Sequence, residues 1–275
     1  MNVAIIGLGL IGGSMAKAIK LNTDHRVFGC DRSQESLEQA LESGAVDEDA
    51  FGNYGQCDLV LIALFPTDAV TFIKEHREQF KPGSMIIDLC GVKRAVCREV
   101  EALFAGTDIT FIGGHPMAGR ALWGFESSVP DLFLGAAMIL TPYPSTPSHL
   151  VEKAGDFFRS LGFGKITLTT DEHHDEIIAY TSQLAHILSS AYIQSPTARE
   201  FMGFSAGSFR DLTRVAKLNE DMWTQLFLLN RDYLSDQLGV LIENLTAFRH
   251  SLDTQDEKTL HEQLRQGRLL KEQLS

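Results

Sequence analysis

Hydrophobic and polar positions along this chain fall into two regimes. Up to about residue 170, short apolar runs alternate with stretches of helical period. The runs at 3–7, 26–31, 59–64, 85–89, 111–113 and 137–140 read as strands, and 14–20, 34–42, 69–79 and 95–104 as helices. A proline-rich loop at 142–147, a helix at 148–161 and a strand at 165–169 complete this part. Such alternation predicts an α/β doubly wound, mostly parallel sheet with helices on both faces. Beyond 170 no strand is expected. Amphipathic stretches at 172–194, 197–201, 209–218, 221–252 and 257–273 predict an all-α unit over 171–275, following a sheet domain over 1–170. The proline-free stretch 222–252 reads as one helix of about 45 Å. One small domain cannot cover it, so a second subunit is expected against it.

Composition narrows the picture. The chain has 275 residues, 44% of them hydrophobic, and a formal net charge of −12. That balance excludes nucleic acid as the main partner. It leaves room for small anionic ligands, which need only a few local cations. No apolar run reaches the length of a membrane span, and no basic leader precedes the first strand, so neither a membrane nor a signal peptide is expected. The four cysteines show no metal-finger spacing, and reduced cytoplasmic thiols with no metal are the expectation.

The most informative chemistry lies at the start. Gly7, Gly9 and Gly12 form G-x-G-x-x-G, running from the first strand into a helix through Leu8, Leu10 and Ile11. Gly7 allows a tight turn, Gly9 lets backbone approach a pyrophosphate, and Gly12 packs the helix close. The helix N-terminus then faces anionic phosphates. Asp31, nineteen positions on, ends the second strand, where it can accept from a ribose 2′-hydroxyl. The cofactor expected is NAD rather than NADP, although Arg32 beside Asp31 could pair with a 2′-phosphate.

Four further segments carry candidate chemistry. His115 follows the strand at 111–113 and is either a general base at the ligand edge or a strand-end cap. The glycines around it are expected to leave room for a cofactor ring or substrate. Lys93, after another strand, either anchors a helix and orients the site or is a solvated surface lysine. Ser182 and His186 share a helix face, with Asp175 on nearly the same stripe. That face lines either a polar cleft or a packed core. Arg210 and Arg214, one helical turn apart, suit a carboxylate, or else Arg214 simply pairs with Asp211 on the surface.

Together these segments resemble the prephenate/arogenate dehydrogenase family of tyrosine biosynthesis. The resemblance rests on the G-x-G-L-I-G-G-S loop, H-P-M-A-G at 115–119, S-x-L-x-H at 182–186, and F-R-D-x-T-R at 209–214 followed by Met222-Trp223. It implies a Rossmann domain joined to a helical dimerisation domain, a homodimer, and NAD-dependent oxidative decarboxylation of prephenate, with arogenate a further substrate. By the same resemblance His115 takes the hydroxyl proton and Arg214 binds a substrate carboxylate. His186, Ser182 and Gln183 lie at the substrate, Trp223 approaches the neighbouring subunit's site, and Asp211 helps at the entrance. The chain departs from the family pattern at Gly91, where a serine often orients the histidine, so water or backbone is expected to orient His115 instead. It departs also at Gln183, where many members have histidine, and at Ala121, where some carry an acid. Other readings of the residues are a two-domain Rossmann hydroxyacid or imino-acid dehydrogenase, which would carry a lysine-based motif, and a nicotinamide-sensing protein.

Overall fold

A computed structural model describes residues 1–120 and 122–274; Ala121 lies outside the described residues. The strands are β1 (Asn2–Ile6), β2 (Arg26–Cys30), β3 (Glu48–Asp49), β4 (Leu59–Ile62), β5 (Met85–Asp88), β6 (Thr110–Pro116), β7 (Ala137–Pro142) and β8 (Lys165–Leu168). They form one sheet in the order β3-β2-β1-β4-β5-β6-β7-β8, in which only the β6–β7 pair is antiparallel. The helices of this part are α1 (Leu10–Asn22), α2 (Gln34–Glu42), α3 (Pro66–His76), α4 (Arg94–Phe104) and α5 (Ser148–Ser160).

Both faces of the sheet are covered, which explains the continuous apolar runs. Val3, Ile5, Leu61 and Ile87 enter one core, and Ala4, Ile6, Val60 and Ile86 enter the core on the other face. The chain leaves β1 toward β2 and β3, then returns to lay β4 on β1's other side. The crevice at that switch point, beyond the strands' carboxyl ends, is where such sheets bind ligands.

The helical part comprises α6 (Asp171–Ile178), α7 (Leu184–Ile193), α8 (Gly207–Thr213), α9 (Glu220–Leu229), α10 (Arg231–Asp253) and α11 (Glu257–Gln273). A five-residue π-helical turn, Ala179–Gln183, joins α6 to α7. The stretch 222–252 is therefore not one helix. It breaks at Asn230, whose backbone leaves the helical region (φ −119°, ψ 25°). The break follows from the side chain: buried Asn230 donates to the Asp175 carbonyl and to Gln183 Oε1, both at 2.8 Å.

This part has little core of its own. Ala179, Leu184 and Leu234 form its buried cluster, α11 buries nothing, and Val240, Ile242, Leu245, Leu252, Leu264 and Leu270 are exposed. No helix among the described residues is long and apolar enough to cross a membrane.

Candidate active site

The glycine loop has the geometry of a phosphate cradle. Gly7 has φ +91°, a conformation open to glycine. A side chain at Gly12 would strike the Gly7 carbonyl at 1.8 Å, whereas nothing lies within 4 Å of a Cβ at Gly9. The space over Gly9 and the start of α1 therefore admits a pyrophosphate. Asp31 braces the loop: its carboxylate accepts from Leu8 N–H at 2.6 Å and from Ser33 N–H at 2.8 Å. Leu8 is buried, Leu10 and Ile11 open α1, and Arg32 is exposed. These residues fit a dinucleotide with its phosphates at α1 and a ribose beside Asp31.

Three strand spacings away, about 14 Å, lies His115. It is within β6, not after it: the strand continues through Gly113 and Gly114 to Pro116. Those glycines make room for protein and not for a ligand. A Cβ at Gly113 would meet Thr141 Oγ1 at 2.2 Å, and one at Gly114 the Asp88 carbonyl at 2.6 Å. Behind them Lys93 is 0% exposed, its ammonium bonded to the Asp88 carboxylate and the Gly114 carbonyl. Lys93 is thus a buried ion-pair partner rather than a solvated lysine.

His115 Nδ1 lies 2.9 Å from His174 Nε2, and His174 Nδ1 lies 2.7 Å from Asp175 Oδ1. The carboxylate accepts, so His174 carries its proton on Nδ1 and accepts on Nε2. His115 then donates from Nδ1, and its Nε2 is left with a bare lone pair. Burial keeps both rings neutral. It is the main cause holding His115 well below 6.5, with help from His174 and the Lys93 ammonium. Burial likewise lowers His174, against the opposing pull of Asp175. A side chain therefore orients His115, where water or backbone was expected. His174 was passed over in the sequence. The signal was His174-Asp175 at a helix start, capped by Thr170, whose hydroxyl accepts from His173 N–H.

Asp175 is not on the cleft-facing stripe of His186. The extra residue in the π turn shifts the helical phase, and Asp175 points to the first turn of α4. There it accepts from Lys93 N–H at 2.8 Å and Arg94 N–H at 3.0 Å. The same turn buries Gln183 to 1% exposure, its amide donating to the Leu226 carbonyl and accepting from Asn230. Gln183 therefore braces α9 and α10 and has no free edge for a substrate.

Gly91 faces His115 Nε2, which would lie 3.9 Å from a Cβ there, with the Leu226 methyls at 3.4 and 3.5 Å. Three residues before Leu226 on α9, Trp223 stacks on His186 at 3.7 Å between centroids. His186 donates from Nδ1 to the Ser182 carbonyl at 2.9 Å, leaving Nε2 as an acceptor. Burial outweighs that carbonyl and, with a smaller push from nearby Arg214, lowers its pKa. One turn of α9 thus separates the His115 edge from the His186, Trp223 and Arg214 group. Arg214 and Asp211 are both exposed, and no ion pair joins them among the described residues.

Two family models divide the chain. The nucleotide-binding domain of prephenate dehydrogenase matches residues 15–167, and its dimerization domain matches 170–266. The chain belongs to the prephenate dehydrogenase family. A cyclohexadienyl dehydrogenase of Zymomonas mobilis is 32% identical over 97% of this chain and 93% of its own. Bacillus subtilis prephenate dehydrogenase is 29% identical over 94% and 72%. In fold, the A. aeolicus prephenate dehydrogenase solved with hydroxyphenyl propionate and NAD+ superposes with a TM-score of 0.88 at 24% identity, covering 100% of this chain and 98% of that one. Membership in this dehydrogenase family sets aside the hydroxyacid-dehydrogenase and sensor readings.

Proposed function

We propose that this protein oxidatively decarboxylates prephenate to 4-hydroxyphenylpyruvate, with NAD taking the hydride, in tyrosine biosynthesis. The observation that carries the reading is the bare, neutral Nε2 of His115, held by His174 and Asp175 on the strand edge beside the dinucleotide crevice. Gly7, Gly9 and Gly12 with the start of α1 hold the pyrophosphate, and Asp31 holds the ribose. When bound, the nicotinamide supplies the hydride acceptor.

His115 Nε2 accepts the proton of the ring hydroxyl as the hydride leaves that carbon. Carbon dioxide departs from the opposite ring carbon, its electron pair flows to the ring oxygen, and a proton returns there. Aromatisation supplies the driving force, so the side chains position, hold charge and move one proton. Arg214 binds a carboxylate, with His186 and Trp223 forming the wall beside it and Ser182 and Gly91 lining the approach. Arogenate is the second substrate we infer. Asp211, unneutralised by Arg210 or Arg214 among the described residues, can accept its ammonium. In this reading 1–170 bind the cofactor and 171–275 the substrate and the second subunit. The four free cysteines suit the reducing cytoplasm.

The test is NADH formation with prephenate, arogenate and a panel of 3-hydroxyacids. Turnover of the two cyclohexadienes alone is expected; oxidation of a hydroxyacid without prephenate would overturn the reading. The pH profile is a second check. The base works neutral and its pKa lies below 6.5, so kcat/KM should stay level as pH falls through 6.5 and drop only below it. An acid limb at or above 6.5 contradicts the buried dyad.

Substrate recognition rests on Arg214. A hydrogen bond to a charged group is worth about 1.5–3 kcal/mol, so Arg214→Ala should raise the prephenate KM about 10- to 150-fold and barely move that for NAD. Arg210 faces a different, open cavity with Phe201 and Phe209, and Arg210→Ala should do little. The opposite order of effects would misplace the substrate. We also propose a homodimer through α10 and α11, whose exposed leucines exceed what a monomer usually shows. Light scattering at micromolar concentration should return twice the chain mass, and a monomer mass would refute it.

A further inference from the structure

The His115–His174 bond crosses between two parts of the fold: His115 is on β6 of the sheet domain and His174 on α6 of the helical part. The base is therefore complete only while that seam is closed. The residue that ties the seam most densely is Arg94, the first residue of α4. Among the described residues, the hydrogen bonds of its side chain all go to partners in the helical part. Nη1 and Nη2 donate to the two oxygens of Asp232 at 2.8 and 2.6 Å, Nη2 to Asn230 Oδ1 at 2.9 Å, and Nε to Asp175 Oδ2 at 3.4 Å. The guanidinium also lies 4.2 Å from the Tyr233 ring centroid. Arg94 is 12% exposed and Asp232 58%, so solvent competes for the Asp232 contacts and least for those to buried Asn230 and Asp175.

We infer that Arg94 is a positioning residue for the base, a latch that holds α6 and the α9–α10 break against α4 so that His174 meets His115. The inference rests on the reading of His115 given above. The path is continuous. Arg94 fixes Asn230, Asn230 fixes the Asp175 carbonyl and Gln183, and the Asp175 carboxylate fixes the tautomer of His174. Lysine cannot replace it, because an ammonium cannot span Asp232, Asn230 and Asp175 with a planar fork. A second pair crosses the same seam one turn along α4: Arg98 to Glu172 at 3.1 Å. Both its side chains are more than half exposed, so it contributes little. It is the internal control.

The charged and titratable groups around the dyad are Lys93 and Asp88 from the sheet domain and Asp175 from α6; Cys90 and Cys97 lie around Lys93, and Asp232 around Arg94. Opening the seam hydrates His115 and moves His174 away, removing two of the three causes that depress its protonation. Lys93 stays. The His115 titration should therefore move up toward, without passing, 6.5.

The experiment compares wild type, Arg94→Gln, Arg94→Lys and Arg98→Ala in the full-length protein. Steady-state kinetics with prephenate and NAD are combined with NMR titration of the histidine rings, which needs no substrate. Arg94→Gln should lower kcat about 10- to 100-fold, the scale of a misplaced catalytic group, with the NAD KM within about twofold. It should also raise the His115 titration point. Arg94→Lys should lower kcat as well, and Arg98→Ala should match wild type in every readout. An Arg94→Gln protein with wild-type kcat and an unmoved His115 titration overturns the latch. So does one that loses activity and melting temperature while His115 titrates as in wild type, since Arg94 would then be a general brace. If wild type itself leaves prephenate untouched, the proposed activity fails, and the NMR comparison alone decides the latch.

Discussion

His115→Asn is expected to lower kcat by about 10²–10⁴, the usual worth of a positioned general base. The substitution is chosen because it keeps the frame. An asparagine amide can still donate to His174 Nε2, as His115 Nδ1 does at 2.9 Å, so His174 and Asp175 need not move. What is lost is the basic lone pair directed past Gly91. The KM for NAD should hold within about twofold, because the glycine loop lies three strands away and Asp31 four. Initial rates of NADH formation across both substrates check this. Turnover near that of wild type would remove His115 from the proton transfer.

Asp175→Asn is expected to be comparably damaging without touching a reactant. Four donors converge on this carboxylate: Lys93 N–H, Arg94 N–H, Arg94 Nε–H and His174 Nδ1–H. An amide offers one oxygen and one NH₂, so either rotamer sets a donor against donors. If the NH₂ faces His174, the tautomers reverse along the relay, His115 carries its proton on Nε2, and the lone pair is gone. In the serine-protease triad the equivalent exchange costs about 10⁴ in kcat. Here the relay is one ring longer, and a loss on the order of 10²–10⁴ is expected. The NAD KM should again be nearly unchanged. A variant retaining wild-type kcat would show that the tautomer is set elsewhere.

Much of this was legible from residue pattern. The glycine loop, Asp31 and the order of strands were readable because each depends on local backbone requirements and on burial of both sheet faces. The shortfalls have specific causes. Gly113 and Gly114 look like room for a ligand, but Thr141, Lys93 and the Asp88 carbonyl take the space a side chain would fill. Lys93 looks like a surface charge because its counter-ion, Asp88, is five residues away on the preceding strand. The helix of 222–252 looks continuous because nothing in Asn230 itself forbids helix; buried partners 47 and 55 residues upstream break it. The π turn at 179–183 moves Asp175 off the face that a uniform 3.6-residue period assigns it.

The stack of Trp223 on His186 gives the protein an optical signal of its own. The sequence has two tryptophans. Trp123 is 60% exposed and should emit as a hydrated indole, at the red end of the range. Trp223, ring against ring with an imidazole at 3.7 Å, is open to quenching by that imidazole and most strongly by its protonated form. Because burial and Arg214 hold His186 below its ordinary pKa, the quenching should deepen only in acid. A carboxylate seated on Arg214 would favour the protonated ring and dim the blue part of the emission near neutrality. Occupancy of the substrate site could then be followed in the unmodified protein by the colour of its fluorescence, with Trp123 as the internal reference.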